Sequence, residues 1–308
     1  MKDERFKVMV LAGGPDRERP VSLQSGHTVV QALKQAGHEV LQRDPMPDDL
    51  ACLEEFASWQ GDVIFPVLHG PWGEGGPLLR ELEARNFRFV GCDSIAAALC
   101  MDKIRAKEAL QRAGLPTPPF EVIERGSQRT MPAPLVIKPP CEGSSIDLAI
   151  CRDEATADRK LAELLEKYDR LLLERFTPGR EITVGVIADV EAPGGYVALP
   201  PIHIVPAVEF YDYQAKYERD DTQYRFDIDL PGERINAIKQ AALSAFFTLG
   251  CRHLSRIDFI VDTDMKPWIL EVNTLPGFTS HSLLPMAANR AGVSLPQLTD
   301  RLVRSALM

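Results

Sequence analysis

Apolar and polar positions follow two periods along the chain. Residues 6–12, FKVMVLA, are a short apolar run that Gly13-Gly14 interrupts. A helical pattern opens near Ser22, with Leu23, Val30, Leu33 and Ala36 on one face and Gly37 as its stop. Strand-like HEVLQR and DVIFPVLHG follow, then a helical PLLRELEARN and a short FRFVG. This β-α-β rhythm predicts a parallel sheet with covering helices to about residue 95.

Ser94 is the predicted cap of one helix running through AAALCMDKIRAKEALQRAG to Gly114, and the Pro-rich LPTPPF ends it. From 120 to about 180 the pattern predicts a small α+β unit: strands at EVI and PLVIKP, a helix at EATADRKLAELLEKY, a strand at LLLERF. REITVGVIAD opens the last part, with Ile182, Val184 and Val186 alternating against polar or small positions. A polar, aromatic stretch spans about 205–227, a helix follows at NAIKQAALSAFFTLG, then a hairpin at 256–273 and two short helices. The fold class expected is therefore α/β followed by α+β.

The hairpin carries the first chemistry. With its turn centred between Asp264 and Met265, Asp258 lies opposite Glu271 and Arg256 opposite Asn273. Side chains alternate with period two, so these four share one face, while Ile257, Phe259, Leu270 and Val272 point into the core. Two opposed carboxylates repel. A divalent cation turns that repulsion into a set of oxygen ligands suited to Mg²⁺; the other reading is a solvated face whose acids Arg256 partly offsets.

Three segments offer anion or ammonium sites. KPPCEGSSID (138–147) places Lys138 at a strand end before a turn-rich loop with Gly143, Ser144 and Ser145, which suits phosphate or a plain hairpin. Donors around Gly277 and Ser282 suit an oxyanion or a carboxylate. Gly13-Gly14 is either an anion-binding loop or an ordinary turn, and Glu18 beside it is either an ammonium partner or a surface acid. His69 ends a strand where ligands of open α/β sheets lie, and Tyr211, Tyr213, Lys216 and Tyr217 fit either a loop over a site or a surface loop.

Composition narrows the partners. Lys plus Arg number 35 against 44 for Asp plus Glu, and no basic run relieves the balance, so neither nucleic acid nor an anionic membrane is an expected partner. The start is too polar for a signal peptide or a spanning helix. Six scattered cysteines without a Cys-x-x-Cys pair predict reduced thiols in a cytoplasmic protein.

Taken together, LAGGPDRERPVSL, LHGPWGEGG, MDKIRAK, VIKPPCEGSS, FYDYQAKY, RIDF and EVNTLPGFTSHSLLP resemble the D-alanine–D-alanine ligases of the ATP-grasp fold, in that family's order from residue 11 to about 288. The resemblance implies an N-terminal parallel-sheet α/β domain (1–95) followed by a two-part ATP-grasp fold, central (96–180) and C-terminal (181–308). It implies ATP-dependent joining of two D-alanines through a D-alanyl phosphate, for peptidoglycan precursors. D-serine or D-lactate as second substrate, or a nucleotide-binding protein without catalysis, are the alternatives; Tyr217, where D-lactate users carry histidine, favours an amine.

Carried over by position, Asp258, Glu271 and Asn273 are the implied ligands of two Mg²⁺ (Mn²⁺ is an alternative). Lys103, Lys138 and Lys216 are implied at phosphate, with Ser144 and Ser145 in the glycine loop, Glu174, Arg175, Phe176 and Thr177 beside the adenine, and Glu181 at ribose. Arg256 and the Gly277 N–H are implied at the oxyanion. Glu18, linked through Ser144 to Tyr217, is implied at the first D-alanine's ammonium, Ser282 at the second's carboxylate, and His69 near both. A homodimer is the family's usual assembly. Pro20, Asp147 and Met265 stand where an acid, glycine and glycine are usual, and Cys141 sits in the glycine loop.

Overall fold

The computed structural model describes residues 4–144, 146–206 and 221–308. Strands β1 (Lys7–Leu11), β2 (Glu39–Arg43) and β3 (Val63–Pro66) form a parallel sheet in the order β2-β1-β3. Both faces of β1 are covered from Val8 onward, which is why residues 8–11 are apolar without a break. Val8 and Val10 pack toward helix α1 (Arg19–Gln35), whereas Met9 and Leu11 face α2 (Ala51–Ser58) and, after the short α3 (Gly70–Gly73), α4 (Pro77–Ala84).

Helix α1 begins three residues before Ser22. Pro20 sits in its first turn, where a missing N–H costs no intrahelical bond. Ser22 is instead fully buried, accepting from the Gly13 N–H at 2.8 Å and donating to the Val67 carbonyl at 2.8 Å. The single helix expected over 94–114 is two, α5 (Ser94–Met101) and α6 (Lys103–Arg112). Asp93, not Ser94, caps the first by accepting the Ala96 N–H at 2.8 Å. Asp102 has extended backbone and caps the second, accepting the Ile104 N–H at 3.1 Å.

The central sheet is antiparallel: β4 (Phe120–Glu124), β5 (Leu135–Lys138), β6 (Ala149–Cys151) and β7 (Arg170–Arg175), in the order β4-β7-β5-β6. Leu135, Ile137, Leu171 and Leu173 meet Ala157, Leu161 and Leu164 of α7 (Glu154–Lys167). Strand alternation then turns Val136, Lys138 and Glu174 to the opposite face.

The third sheet joins β8 (Gly179–Ala188), β9 (Tyr196–Ala198), β10 (Ile202–Val205), β11 (Gln223–Arg225), β12 (Leu254–Asp262) and β13 (Pro267–Asn273), ordered β11-β10-β8-β12-β13 with β9 also on β8. Helix α8 (Gly232–Thr248) covers one face through Ile238, Ala242 and Phe246. Helices α9 (Leu283–Arg290) and α10 (Leu295–Leu307) close the other, where Leu298, Leu302 and Val303 share one core with Val29, Val30 and Leu33 of α1. Strands β6, β9, β10 and β11 were not expected; each is only three or four residues long, too short for a period to show. No helix among the described residues is long and apolar enough to cross a membrane.

The hairpin pairs as expected at the end away from its turn, with Arg256 opposite Asn273, Ile257 opposite Val272 and Asp258 opposite Glu271. Beyond Asp258 the register slips by one, and Phe259 pairs with Ile269. The expectation that Leu270 points into the core is therefore wrong: Ile269 is fully buried there, and Leu270, the extra residue of a bulge, lines the cleft.

Candidate active site

The central and C-terminal sheets face each other across a cavity of about 370 Å³. Val136, Ile150, Phe176, Ile260 and Leu270 supply its apolar walls, and Lys103, Lys138, Glu174, Glu181, Asp258 and Glu271 its charges. Arg175 and Thr177 also line it, so the whole 174–177 segment lies on the cavity. A second cavity of about 120 Å³ adjoins it and is lined by Glu18, His69, Glu74, Arg256, Asn273, Gly277 and Ser282. Lys103, Ser144, Glu181, Asp258 and Glu271 line both, so the two are parts of one cleft.

At the larger end, Lys138 ends β5 and its ammonium pairs with Glu174 on β7. Lys107 of α6 pairs with the other oxygen of the same carboxylate. Burial pushes the Glu174 carboxyl up, but the two lysines outweigh it and hold the carboxyl below its usual range. Burial also brings Lys107 down to about 8, against the opposing pull of Glu174. Lys103 Nζ donates to the Glu142 carbonyl at 2.7 Å and lies 3.4 Å from Glu271 Oε2.

Where the cavities meet, Arg256 grips Asp258 with two bonds, Nε to Oδ1 at 3.0 Å and Nη2 to Oδ2 at 2.8 Å. Thr183 on β8 donates to Asp258 Oδ1 at 2.6 Å. Asn273 Oδ1 is buried without a hydrogen-bond partner among the described residues. An oxygen left so next to Glu271, with Asp258 opposite, is a donor set of the hard-oxygen kind that fits Mg²⁺.

At the smaller end, the Ser144 hydroxyl donates to Glu18 Oε1, closing the glycine loop onto the first loop of the chain. His69 is buried and its Nε2 has no partner among the described residues; burial lowers its pKa, so the ring is neutral at pH 7. Ser282 Oγ accepts the Thr279 N–H at 2.9 Å, and a Cβ on Gly277 would come within 2.8 Å of that oxygen. The Phe278 N–H is held by Ser25 of α1 at 3.1 Å, fixing this loop to the N-terminal core.

Each sequence-predicted site residue that is described therefore lies on this cleft. Ser145, Lys216 and Tyr217, with Tyr211 and Tyr213, lie outside the described residues. The site also holds groups that the sequence reading passed over. Glu74 stands inside the quoted LHGPWGEGG, and its Oε1 accepts the Thr274 N–H at 3.2 Å and the Leu275 N–H at 3.4 Å. Burial, then the nearby Glu18 charge, pushes Glu74 up to about 7. Asp16 Oδ2 accepts the Trp72 and Gly73 N–H groups, tying the Glu18 loop to the His69 loop. Lys107 follows Lys103 by one helical turn, a signal that spacing alone could have raised. Thr183 meets Asp258 only across the sheet, and nothing local announces it.

The unusual residues have physical accounts. Asp147 holds φ +53°, a conformation that normally favours glycine, and accepts from the Tyr168 hydroxyl at 2.8 Å. Met265 likewise holds φ +61° in the hairpin turn, where its N–H donates to the Asp262 carbonyl at 3.0 Å. Cys141 is half-buried, and burial raises its thiol pKa.

Two antiparallel sheets closing on a charged, nucleotide-sized cleft, with a parallel α/β unit ahead of them, define an ATP-grasp protein. A family model described as D-ala D-ala ligase C-terminus matches residues 109–304. The D-alanine–D-alanine ligase B of Chromobacterium violaceum is 42% identical over 298 residues, 95% of each chain. The D-alanine–D-alanine ligase of Bacillus anthracis complexed with ATP superposes with a TM-score of 0.82 at 28% identity, over 98% of this chain and 97% of that one. The VanG D-Ala:D-Ser ligase of Enterococcus faecalis gives 0.83 at 25% identity, over 98% of this chain and 100% of that one. The chain belongs to the D-alanine–D-alanine ligase family.

Proposed function

We propose that the protein joins two D-alanines at the expense of ATP, in a cleft where each part of the reaction has its own residues. The first D-alanine's carboxylate attacks the γ-phosphorus of ATP, and the γ–β bridging oxygen leaves with ADP. The second D-alanine's amine then attacks the acyl phosphate, losing a proton and expelling phosphate. The product is D-alanyl-D-alanine, a peptidoglycan precursor.

A carboxylate resists an amine until it is activated, and phosphoryl transfer depends mostly on positioning and charge neutralisation. Lys103, Lys138 and Lys216 are assigned to the phosphates, with Ser144 and Ser145 in the loop over them. Residues Glu174 to Thr177 are assigned to the adenine, and Glu181 to the ribose. Asp258, Glu271 and Asn273 would hold two Mg²⁺, or Mn²⁺, which when bound neutralise charge on the transferring phosphate. Arg256 and the Gly277 N–H are assigned to the oxyanion of the tetrahedral intermediate.

Glu18, steadied by Ser144 and with Tyr217 as its expected further partner, is assigned to the first ammonium; Ser282 takes the second carboxylate, with His69 close to both. The three-part division at 95 and 180, a homodimer and a cytoplasmic setting belong to the same reading. The observation that carries it is the Ser144–Glu18 bond, which brings the glycine loop of the central sheet onto the N-terminal loop between the two cavities.

The test is phosphate release from ATP and Mg²⁺ with D-alanine, compared with L-alanine and with D-alanine plus D-serine or D-lactate. Release with D-alanine alone is expected; no D-alanine-dependent release would sink the assignment. D-serine or D-lactate consumed in preference to a second D-alanine would move the protein to the neighbouring specificity.

A further inference from the structure

Lys107 has no task in the reaction just described, yet its side chain is 1% exposed. An ammonium buried that deeply is costly unless charge and hydrogen bonds compensate it. Its Nζ pairs with Glu174, donates to the Thr117 hydroxyl and lies 3.5 Å from the Ile269 carbonyl. Thr117 donates to the same carbonyl at 2.9 Å, and the Ile269 N–H returns to the Pro116 carbonyl at 2.9 Å. Ile269 precedes the bulge residue Leu270, and Glu271 comes next.

The second oxygen of Glu174 pairs with Lys138. Two ammoniums around one carboxylate leave this buried group with a net single positive charge. Without Lys107, Glu174 and Lys138 would neutralise each other as a closed pair, and Lys138 would have less charge to offer a phosphate. Lys107 also links α6, the central sheet and β13 at one point.

We propose that Lys107 is a positioning residue for nucleotide binding: it occupies one oxygen of Glu174 so that Lys138 keeps its charge for phosphate. This inference rests on ATP entering the larger cavity.

The test is a double-mutant cycle on the full chain, with Mg²⁺–ADP affinity by titration calorimetry as the readout, alongside KM for ATP and for D-alanine. Lys107→Met should weaken ADP binding and raise KM for ATP by about tenfold or more, and leave KM for D-alanine within about twofold. The loss caused by Lys107→Met should be much smaller in a Glu174→Gln background than in the wild type, because a neutral amide leaves Lys138 unneutralised whether or not Lys107 is present. A purely structural lysine predicts the same loss on Lys107→Met in both backgrounds, with both KM values moving together. That result would overturn the proposal, as would wild-type ADP affinity in folded Lys107→Met.

If Lys107→Met does not fold, Glu174→Gln and Lys107→Met/Glu174→Gln are compared. Equal affinity supports the proposal, and a tenfold loss on removing Lys107 there refutes it. A wild-type chain that binds Mg²⁺–ADP but shows no D-alanine-dependent turnover would sink the ligase reading, while the titration would still decide the role of Lys107.

Discussion

Glu74 offers a quantitative test of the site's electrostatics. Burial and the charge on Glu18 lift its carboxyl from 4.5 to about 7, against the Leu275 and Thr274 N–H groups and Arg256. The folded protein thus holds this proton more tightly than the unfolded chain does. The cost of ionising Glu74 is absent below 4.5, grows between 4.5 and 7, and is complete above 7, so stability falls as pH rises through that window. Integrating between pH 5 and pH 8 gives at most about 2.5 kcal/mol for the pair of pKa values. An unfolding entropy of about 2.1 cal/mol/K per residue over 308 residues makes that about 4 °C in Tm.

Glu74→Gln keeps an acceptor for the Thr274 and Leu275 N–H groups and removes the ionisation. The Tm of the variant minus that of the wild type should therefore become more favourable by up to about 4 °C between pH 5 and pH 8. Differential scanning fluorimetry of both proteins in matched buffers measures it. An offset that is the same at both pH values, or one that shrinks as pH rises, would refute the raised carboxyl and its cause.

Glu271→Gln should cut turnover by about a hundredfold or more while shifting Tm by less than about 2 °C, because on the proposed reading the partly exposed acid serves a cation rather than the core; steady-state kinetics with unfolding curves decide this, and wild-type turnover would remove the metal assignment. Asp147→Gly should raise KM for ATP by about three- to tenfold, since it frees the glycine loop from Tyr168, with little change in Tm because glycine relieves the positive φ. Gly277→Ala places a methyl group 2.8 Å from Ser282 Oγ, so KM for the second D-alanine should rise by about tenfold with KM for ATP unchanged; equal changes in both would place Gly277 elsewhere in the reaction. Thr183→Val removes a 2.6 Å bond to Asp258, and kcat should fall by about fivefold to tenfold as Asp258 loses one of its holds.

The legible part of the site was the part encoded by local spacing. Arg256, Asp258, Glu271 and Asn273 fall on one face because strand side chains alternate, and a hairpin with a short turn leaves few registers. The slip at Phe259 was not legible, since a bulge costs one residue and leaves no compositional mark; only the packing of Ile269 against Phe259 selects it. Asp102 split a helix that looked continuous because a short acid at that position can cap a new helix as readily as sit within one. Glu18 was visible as an acid beside a glycine turn, but its bond to Ser144 joins residues 126 apart.

By itself, the sequence determined the order of the longer strands and helices, the acidic balance, the polar face of the hairpin and the motifs that place the chain in its family. These depend on neighbours in the chain, so the residues announce them. Only the tertiary structure decided that α10 completes the core around α1, that Thr183 holds Asp258, and that Lys107 shares Glu174 with Lys138. Each needs two or more elements brought together, and buried charge is stable only where that assembly supplies its partners.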